Sequence, residues 1–154
     1  MPKAALGVLA AAGYRRGRLQ LALQGSYFPH SRGELAPVPG FDATGGEFSL
    51  RVLALVGCFE PTRARVGLCG GPELSHLRGQ GFGVSAPRAG EKSWVSLLLG
   101  LRSALHLGSR LWLETAAEVA IPTLREEFAL GGVGIVHRPS PAIARASLGL
   151  GITL

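Results

Sequence analysis

Two cysteines are the first candidates for chemistry in this chain. Cys58 and Cys69 have ten residues between them, and no C-x-x-C or Cys–His spacing typical of a zinc site accompanies them. The two cysteines flank the turn at 59–63 and are expected on adjacent antiparallel strands, which come within disulfide range if the register allows. The alternation of the two segments puts them on opposite faces unless a bulge intervenes, so a bridge and two free thiols both stay open. A bridge would indicate an oxidising compartment.

Histidine and serine are the next candidates, because together they can form a nucleophile and its base. The chain has four histidines: His30, His76, His106 and His137. Two of them have a serine beside them, in His30–Ser31 and Ser75–His76. Adjacent strand residues point to opposite faces, so neither pair forms a dyad by itself. We interpret these histidines as solvated loop residues and residues 79–87, with their G-x-G, as a loop. We predict no catalytic residue, metal or cofactor.

The charge pattern argues against a nucleic-acid partner. The net charge is +6, and all basic residues except Lys3 and Lys92 are arginines. Only Arg15, Arg16 and Arg18 form a tight cluster, whereas a nucleic-acid surface collects its basic residues on one face. Charged residues make up 17%, below the usual ~25%, and apolar residues make up 47%. Such a composition excludes a disordered chain, and no run reaches the ~20 apolar residues of a transmembrane helix.

Strands are the elements that position these side chains. Residues 18–27 put Leu19, Leu21 and Leu23 on one face and polar residues on the other, which is typical of a strand. Residues 142–154 alternate in the same way. Residues 111–121 also fit a helix, but we favour a strand because the neighbouring segments are strands. We predict seven strands, joined by alternately short and long connections: 4–14, 18–28, 46–58, 63–75, 93–106, 110–130 and 141–154.

The start of the chain admits two interpretations. Lys3 and the ten apolar residues after it resemble a short signal peptide, but the positive region is weak and Pro2 is unusual there. We favour the first strand of the folded domain.

This arrangement resembles a small bacterial outer-membrane β-barrel over nearly the whole chain. The ending ARASLGLGITL is similar to that of uncharacterised barrels from high-GC Gram-negative bacteria. The resemblance implies a single all-β domain over residues 1–154, an antiparallel up-and-down transmembrane β-barrel. It also implies an outer-membrane location, with membrane lipid and the barrel-insertion machinery as partners. That machinery would read the C-terminal insertion signal: Leu148, Leu150, Ile152 and Leu154.

Within such a barrel, side chains acquire an inside and an outside. An eight-stranded barrel has an interior only wide enough for side chains. We expect a charge network in that lumen, formed by Arg51, Arg65, Glu114, Glu118 and Arg145. We expect aromatic residues near the strand ends to form an interfacial belt: Tyr14, Tyr27, Phe28 and Trp94.

Strand parity leads to a further expectation. Bacterial barrels have an even number of strands, with both termini on the short-turn side. Seven strands put the C-terminus on that side and the N-terminus on the other. We therefore expect an eighth strand and a signal peptide upstream of Met1. Dividing 110–130 at Pro122 also yields eight strands, but it moves the C-terminus to the wrong side.

Three functions are compatible with these patterns. The first is a non-enzymatic outer-membrane barrel with a structural or adhesive role, or one that passes a small apolar solute. The second is a soluble periplasmic or secreted barrel that binds an apolar ligand inside, which requires the opposite arrangement of polar and apolar faces. The third is an outer-membrane lipid-modifying enzyme, which requires a histidine and a serine near an acidic residue at the membrane edge.

Overall fold

The computed structural model of this protein describes residues 5–34, 45–61, 66–82, 89–123, 128–130, 134–137 and 141–153. Seven strands form one antiparallel sheet in chain order, and two short strands pair separately as a hairpin. The sheet consists of β1 (Val8–Arg16), β2 (Leu19–Glu34), β3 (Gly45–Phe59), β4 (Val66–Phe82), β5 (Ala89–His106), β6 (Leu111–Pro122) and β9 (Ile143–Ile152). The hairpin consists of β7 (Phe128–Leu130) and β8 (Gly134–His137).

The all-β antiparallel prediction and its seven sheet strands are confirmed, but several boundaries differ. The strands β2, β4 and β5 extend further than predicted at the end with the long connections. The strand predicted at 110–130 ends at Pro122, and Phe128–Leu130 belongs to the separate hairpin. Residues 111–121 form a strand, so the helical alternative is wrong. The part of the chain that the structure describes contains no helix long and apolar enough to cross a membrane.

Short turns join the strands at one end of the sheet. Arg16 pairs with Leu19, which leaves a two-residue turn of Gly17 and Arg18. Gly17 has a φ of 62°, a conformation that a two-residue hairpin favours and that a residue with a Cβ adopts at a cost. His106 and Leu111 flank a second short connection.

The sheet is curled into a half-barrel whose inner face is buried along its central strands. Gln24 on β2 contacts Arg102 on β5 and Glu118 on β6, three strands and four strands away. Small side chains pack beside these contacts and allow the tight curvature. The buried apolar cluster consists of Ala54, Val56, Cys58, Cys69, Leu98 and Ala120.

The pairing of β3 with β4 is interrupted at one point near its middle. Pro72 lies within β4 and has no N–H to give to the ladder. Beside it, a Cβ on Gly71 would lie 1.9 Å from the carbonyl oxygen of Leu55. Only glycine fits this close approach of two backbones, and the pairing resumes on both sides in the same register.

Candidate functional site: a charged inner face, an apolar belt and the row that bounds it

The outer face of the sheet is a continuous apolar surface. No outward side chain is charged in the described stretches 19–25, 53–59, 68–74, 95–105 and 111–121. Leu99, at the middle of β5, is 48% exposed, although a leucine in a soluble sheet normally packs inward. We call this surface the apolar belt. Its large exposed members include Leu19, Leu21, Leu23, Leu53, Leu55, Leu68, Leu74, Val95, Leu97, Leu99, Leu101, Leu105, Val119, Ile121, Leu148, Leu150 and Ile152.

The inner face carries charged side chains, and three of them, Glu73, Arg102 and Glu118, are almost fully buried. Arg102 Nε lies 3.3 Å from Glu114 Oε1, and its Nη2 lies 3.6 Å from Glu118 Oε1. Arg145 pairs with Glu73 and lies 3.5 Å from Glu118 Oε2. Glu118 thus connects both arginines. We call these five residues the inner charge network.

Neutral polar groups complete the inner charge network. Arg102 Nη2 donates to Gln24 Oε1 at 2.8 Å, and Gln24 Nε2 donates to Glu118 Oε2 at 3.4 Å. Ser75 Oγ donates to Glu73 Oε1 at 3.3 Å. Buried charges are tolerated when they are paired and hydrogen-bonded, and partners from five strands pair every charge of this network. Among the described residues, the Nε atoms of Arg102 and Arg145 have no hydrogen-bond partner.

The predicted lumen network overlaps the observed one only in part. The structure brings Glu114, Glu118 and Arg145 together on the inner face, whereas Arg65 lies outside the described residues. The expectation for Arg51 is wrong, because Arg51 is exposed on the outer face with Leu53 and Leu55.

Three members of the inner face were missed from the sequence. Gln24 lies on the polar side of the alternation in residues 18–27, and this position was the signal that could have placed it on the inner face. Glu73 follows Pro72, which interrupts the alternation of apolar and polar residues in the predicted strand 63–75, so the face of Glu73 could not be assigned. Arg102 lies in a segment that is apolar on both faces, so its direction could not be assigned.

The cysteines lie directly opposite each other and form a disulfide. Cys58 on β3 pairs in register with Cys69 on β4, and their Cα atoms are 4.1 Å apart. The expected placement on opposite faces is wrong. The wrong expectation for the cysteines has the same cause as the wrong expectation for Arg51, which is the direction in which the side chains of β3 point. On this strand the smaller apolar side chains, such as Val56, face inward and the leucines face outward.

The predicted interfacial aromatics separate into two groups. Tyr14 and Tyr27 project from the outer face near strand ends, at 72% and 38% exposure. Phe28 and Trp94 lie at the inward positions of β2 and β5, so their assignment to an outer belt is wrong. The reason is strand alternation, since each is adjacent to an outward residue, Tyr27 and Val95.

A polar row bounds the apolar belt at the end with the long connections. Leu53, Leu74 and Val95 are partners in register across β3, β4 and β5, and the next outward positions are Arg51, His76 and Ser93. We call these three residues the rim row. The rim row therefore lies directly beside the last apolar row of the belt, which is formed by Leu53, Leu74 and Val95.

Two members of the rim row are hydrogen-bonded to each other. His76 Nδ1 lies 2.9 Å from Ser93 Oγ, and His76 Nε2 lies 3.8 Å from Glu91 Oε2. Glu91 Oε1 in turn lies 3.4 Å from Arg78 Nε. The interpretation of His76 as a loop residue is wrong, because it lies within β4.

The other serine and histidine candidates do not converge in the described structure. Ser75 faces inward to Glu73 and away from His76, as alternation requires. His106 is exposed at the far end of β5. The side chains of His30, Ser31 and His137 lie outside the described residues. Within the described ranges, no group of three His, Cys, Asp or Glu residues is arranged to hold a metal ion.

The predicted insertion signal lies on the last strand of the sheet. Leu148, Leu150 and Ile152 all project from the outer face of β9, at 73%, 71% and 64% exposure. Leu154 lies outside the described residues.

Comparison of the chain with protein-family models, curated proteins and solved structures finds no match.

Proposed function

We propose that this protein is an outer-membrane β-barrel of a Gram-negative bacterium. The observation that supports this proposal is its inverted polarity: leucines cover the outside of the sheet and ion pairs fill its inside. A surface of this kind costs free energy in water, at roughly 25 cal/mol per Å² of apolar area, and costs none against hydrocarbon. An apolar patch this extended marks a surface that meets a membrane or a partner.

The height of the apolar belt matches a bilayer. On β5 it runs from Val95 to Leu105, which is eleven residues. A transmembrane strand needs about 9–11 residues. The strands β2 to β5 continue beyond the belt only at the end with the long connections, as in barrels with short periplasmic turns and longer extracellular loops.

Closure of the barrel requires one more strand in the proposal. Within the described residues, β1 and β9 have a neighbour on one side only, and both run in the same direction because the sheet has seven antiparallel strands. Direct pairing of β1 with β9 would be parallel, whereas one strand antiparallel to both completes an eight-stranded barrel. The contacts of Gln24 with Glu118 support this size, because a wider barrel separates opposite side chains.

The filled interior favours a structural or adhesive role over transport. Arg102 and Glu118 meet Gln24 from the opposite side of the half-barrel, and an apolar solute would have to pass these ionised groups. Adhesion would use the long connections, and assembly would use the insertion machinery acting on β9. A soluble barrel that binds an apolar ligand needs a polar outer face and an apolar inner face. The observed faces are the reverse, so this second function is disfavoured.

A pair of charge substitutions tests the membrane proposal. Leu99→Arg puts a charge at mid-belt, and Leu107→Arg puts the same charge in the short turn after β5. In phosphatidylcholine vesicles we expect Leu99→Arg to lower the free energy of unfolding by about 2–4 kcal/mol and Leu107→Arg by about 0–1 kcal/mol.

The readouts of this test are the urea unfolding midpoint and the difference in gel mobility between unboiled and boiled samples. The wild-type protein is expected in the outer-membrane fraction and to require detergent. A protein that is monomeric in buffer without detergent, and in which Leu99→Arg has no effect, would disprove the proposal.

A further inference from the structure

Two residues of the rim row, Ser93 and His76, form a nucleophile–base–acid arrangement with Glu91 between β4 and β5. Ser93 Oγ and His76 Nδ1 are 2.9 Å apart, within the range for proton transfer from a nucleophile to its base. On the other side of the ring, Glu91 Oε2 lies 3.8 Å from Nε2, the position of the third group in a nucleophile–base–acid arrangement. With Nδ1 unprotonated, the Ser93 hydroxyl donates to it and Nε2–H points towards Glu91.

The surroundings of these groups define the substrate. Leu74 and Val95 are the outward residues next to His76 and Ser93 on the same strands, and both belong to the apolar belt. On the other side lie Glu91, Arg78 and the ends of the strands. An amphiphile with its acyl chain along the belt and its head group beyond the rim row would place its ester bond at Ser93.

We propose that Ser93, His76 and Glu91 form an esterase site for long-chain acyl esters of amphiphilic lipids. This inference rests on the proposed membrane barrel for the position of the acyl chain, and it adds a reaction to that function. It specifies residues for the third function compatible with the sequence, the outer-membrane lipid-modifying enzyme, and departs from the prediction of no catalytic residue.

The reaction proceeds in two balanced steps. Ser93 Oγ forms a bond to the ester carbonyl carbon while His76 takes its proton, and His76 then protonates the leaving alcohol as the ester C–O bond breaks. A water molecule attacks the acyl-serine with His76 as its base. The fatty acid leaves and Ser93 regains its proton.

Arg51 supplies positive charge for the transition state. It is the partner of His76 in register on β3, at a typical Cβ separation of about 4.5–5.5 Å for such pairs. It is exposed, and among the residues that the structure describes it makes no ion pair. In the proposal its guanidinium extends past His76 towards Ser93, two strands away, and stabilises the oxyanion that forms in the first step.

The test uses the full chain folded in detergent micelles, with p-nitrophenyl palmitate and p-nitrophenyl acetate as probes. We expect wild-type protein to hydrolyse the palmitate ester faster than the acetate. Ser93→Ala and His76→Asn should each lower kcat by about 100-fold or more. Glu91→Gln should lower kcat by less than either of these substitutions, because Glu91 lies 3.8 Å from the ring and exchanges no proton with substrate.

Ser103→Ala is the matched control. Ser103 lies on the outer face of the same strand, where its partners in register are Val66 and Thr115 and no histidine is adjacent. The Ser103→Ala variant should hydrolyse p-nitrophenyl palmitate at the wild-type rate. A fluorophosphonate probe should label Ser103→Ala protein and leave Ser93→Ala protein unlabelled.

Failure of this inference and failure of the membrane proposal give different results. Heat-modifiable protein that hydrolyses neither ester faster than Ser93→Ala would disprove the esterase site and leave the barrel intact. Preference for the acetate ester would disprove the lipid substrate. Protein that shows no heat-dependent mobility would contradict the membrane barrel, whatever its esterase activity.

Discussion

The pair of Arg145 and Glu73 offers the most direct test of the buried charge network. Arg145→Met removes the guanidinium and keeps an unbranched side chain. Glu73, 2% exposed, then keeps only the Ser75 hydroxyl as a polar partner among the described residues. Breaking a buried ion pair in this way costs about 3–5 kcal/mol, because the remaining charge is uncompensated. Glu118 still has Arg102 at 3.6 Å, so most of this loss arises at Glu73.

A double substitution separates the free energy lost with the ion pair from the free energy lost with the packing of the arginine side chain. Adding Glu73→Gln to Arg145→Met removes the orphaned charge, so the double variant should be more stable than the sum of the single effects predicts. We expect a coupling free energy of about 1–3 kcal/mol. The control is Arg78→Met, whose partner Glu91 is half exposed at 3.4 Å; exposed pairs contribute about 1 kcal/mol or less.

The assay is urea unfolding of micelle-folded protein, followed by the fluorescence of the two tryptophans. Trp94 and Trp112 both lie at inward positions of the sheet, so their emission reports the state of the inner face. Additivity of the two single effects within about 0.5 kcal/mol would refute the coupling. An equal loss in Arg78→Met and Arg145→Met would refute the argument from burial.

Two further predictions concern the backbone and the disulfide. Gly71→Ala should destabilise the protein by about 1–3 kcal/mol or more in the same urea assay, because its Cβ would lie 1.9 Å from the Leu55 carbonyl oxygen. Gly25→Ala has no atom within 4 Å of the new Cβ and should change stability by less than about 0.5 kcal/mol; equal effects would contradict this account. Replacing Cys58 and Cys69 by alanine should cost about 2–3 kcal/mol, and alkylation of unreduced protein should leave its mass unchanged. An alkylated thiol without reductant would contradict the bridge.

The fold could be predicted where one face of a strand was plainly more polar than the other. On β2, Leu19, Leu21 and Leu23 alternate with polar residues, and these leucines are exposed while Ala22 and Gln24 are buried. On β3 both faces are apolar, so the period identifies a strand without saying which face turns inward. Side-chain volume decides there, because the tight curvature of the sheet admits alanine and valine inside.

The partners within each site could not be predicted, because they depend on register and curvature. Arg145 and Glu73 are 72 residues apart and meet across the open interior of the half-barrel. His76 and Ser93 are 17 residues apart and meet through the β4–β5 register. A shift of one residue in that register would turn every side chain of one strand to the other face. No local pattern contains this information.

The inverted polarity also accounts for the position of the rim row. In the proposed barrel, an outward charge within the belt costs about 2–4 kcal/mol at mid-bilayer and almost nothing at its edge. Charged side chains on the outer face of the described strands are therefore confined to positions outside the belt, and Arg51, His76 and Ser93 occupy the first positions beyond it. The same edge is where the ester bonds of an amphiphile lie, between its acyl chains and its head group. In the two proposals taken together, this constraint brings nucleophile, base and ester bond to one depth, and the β4–β5 ladder sets the register that joins His76 to Ser93.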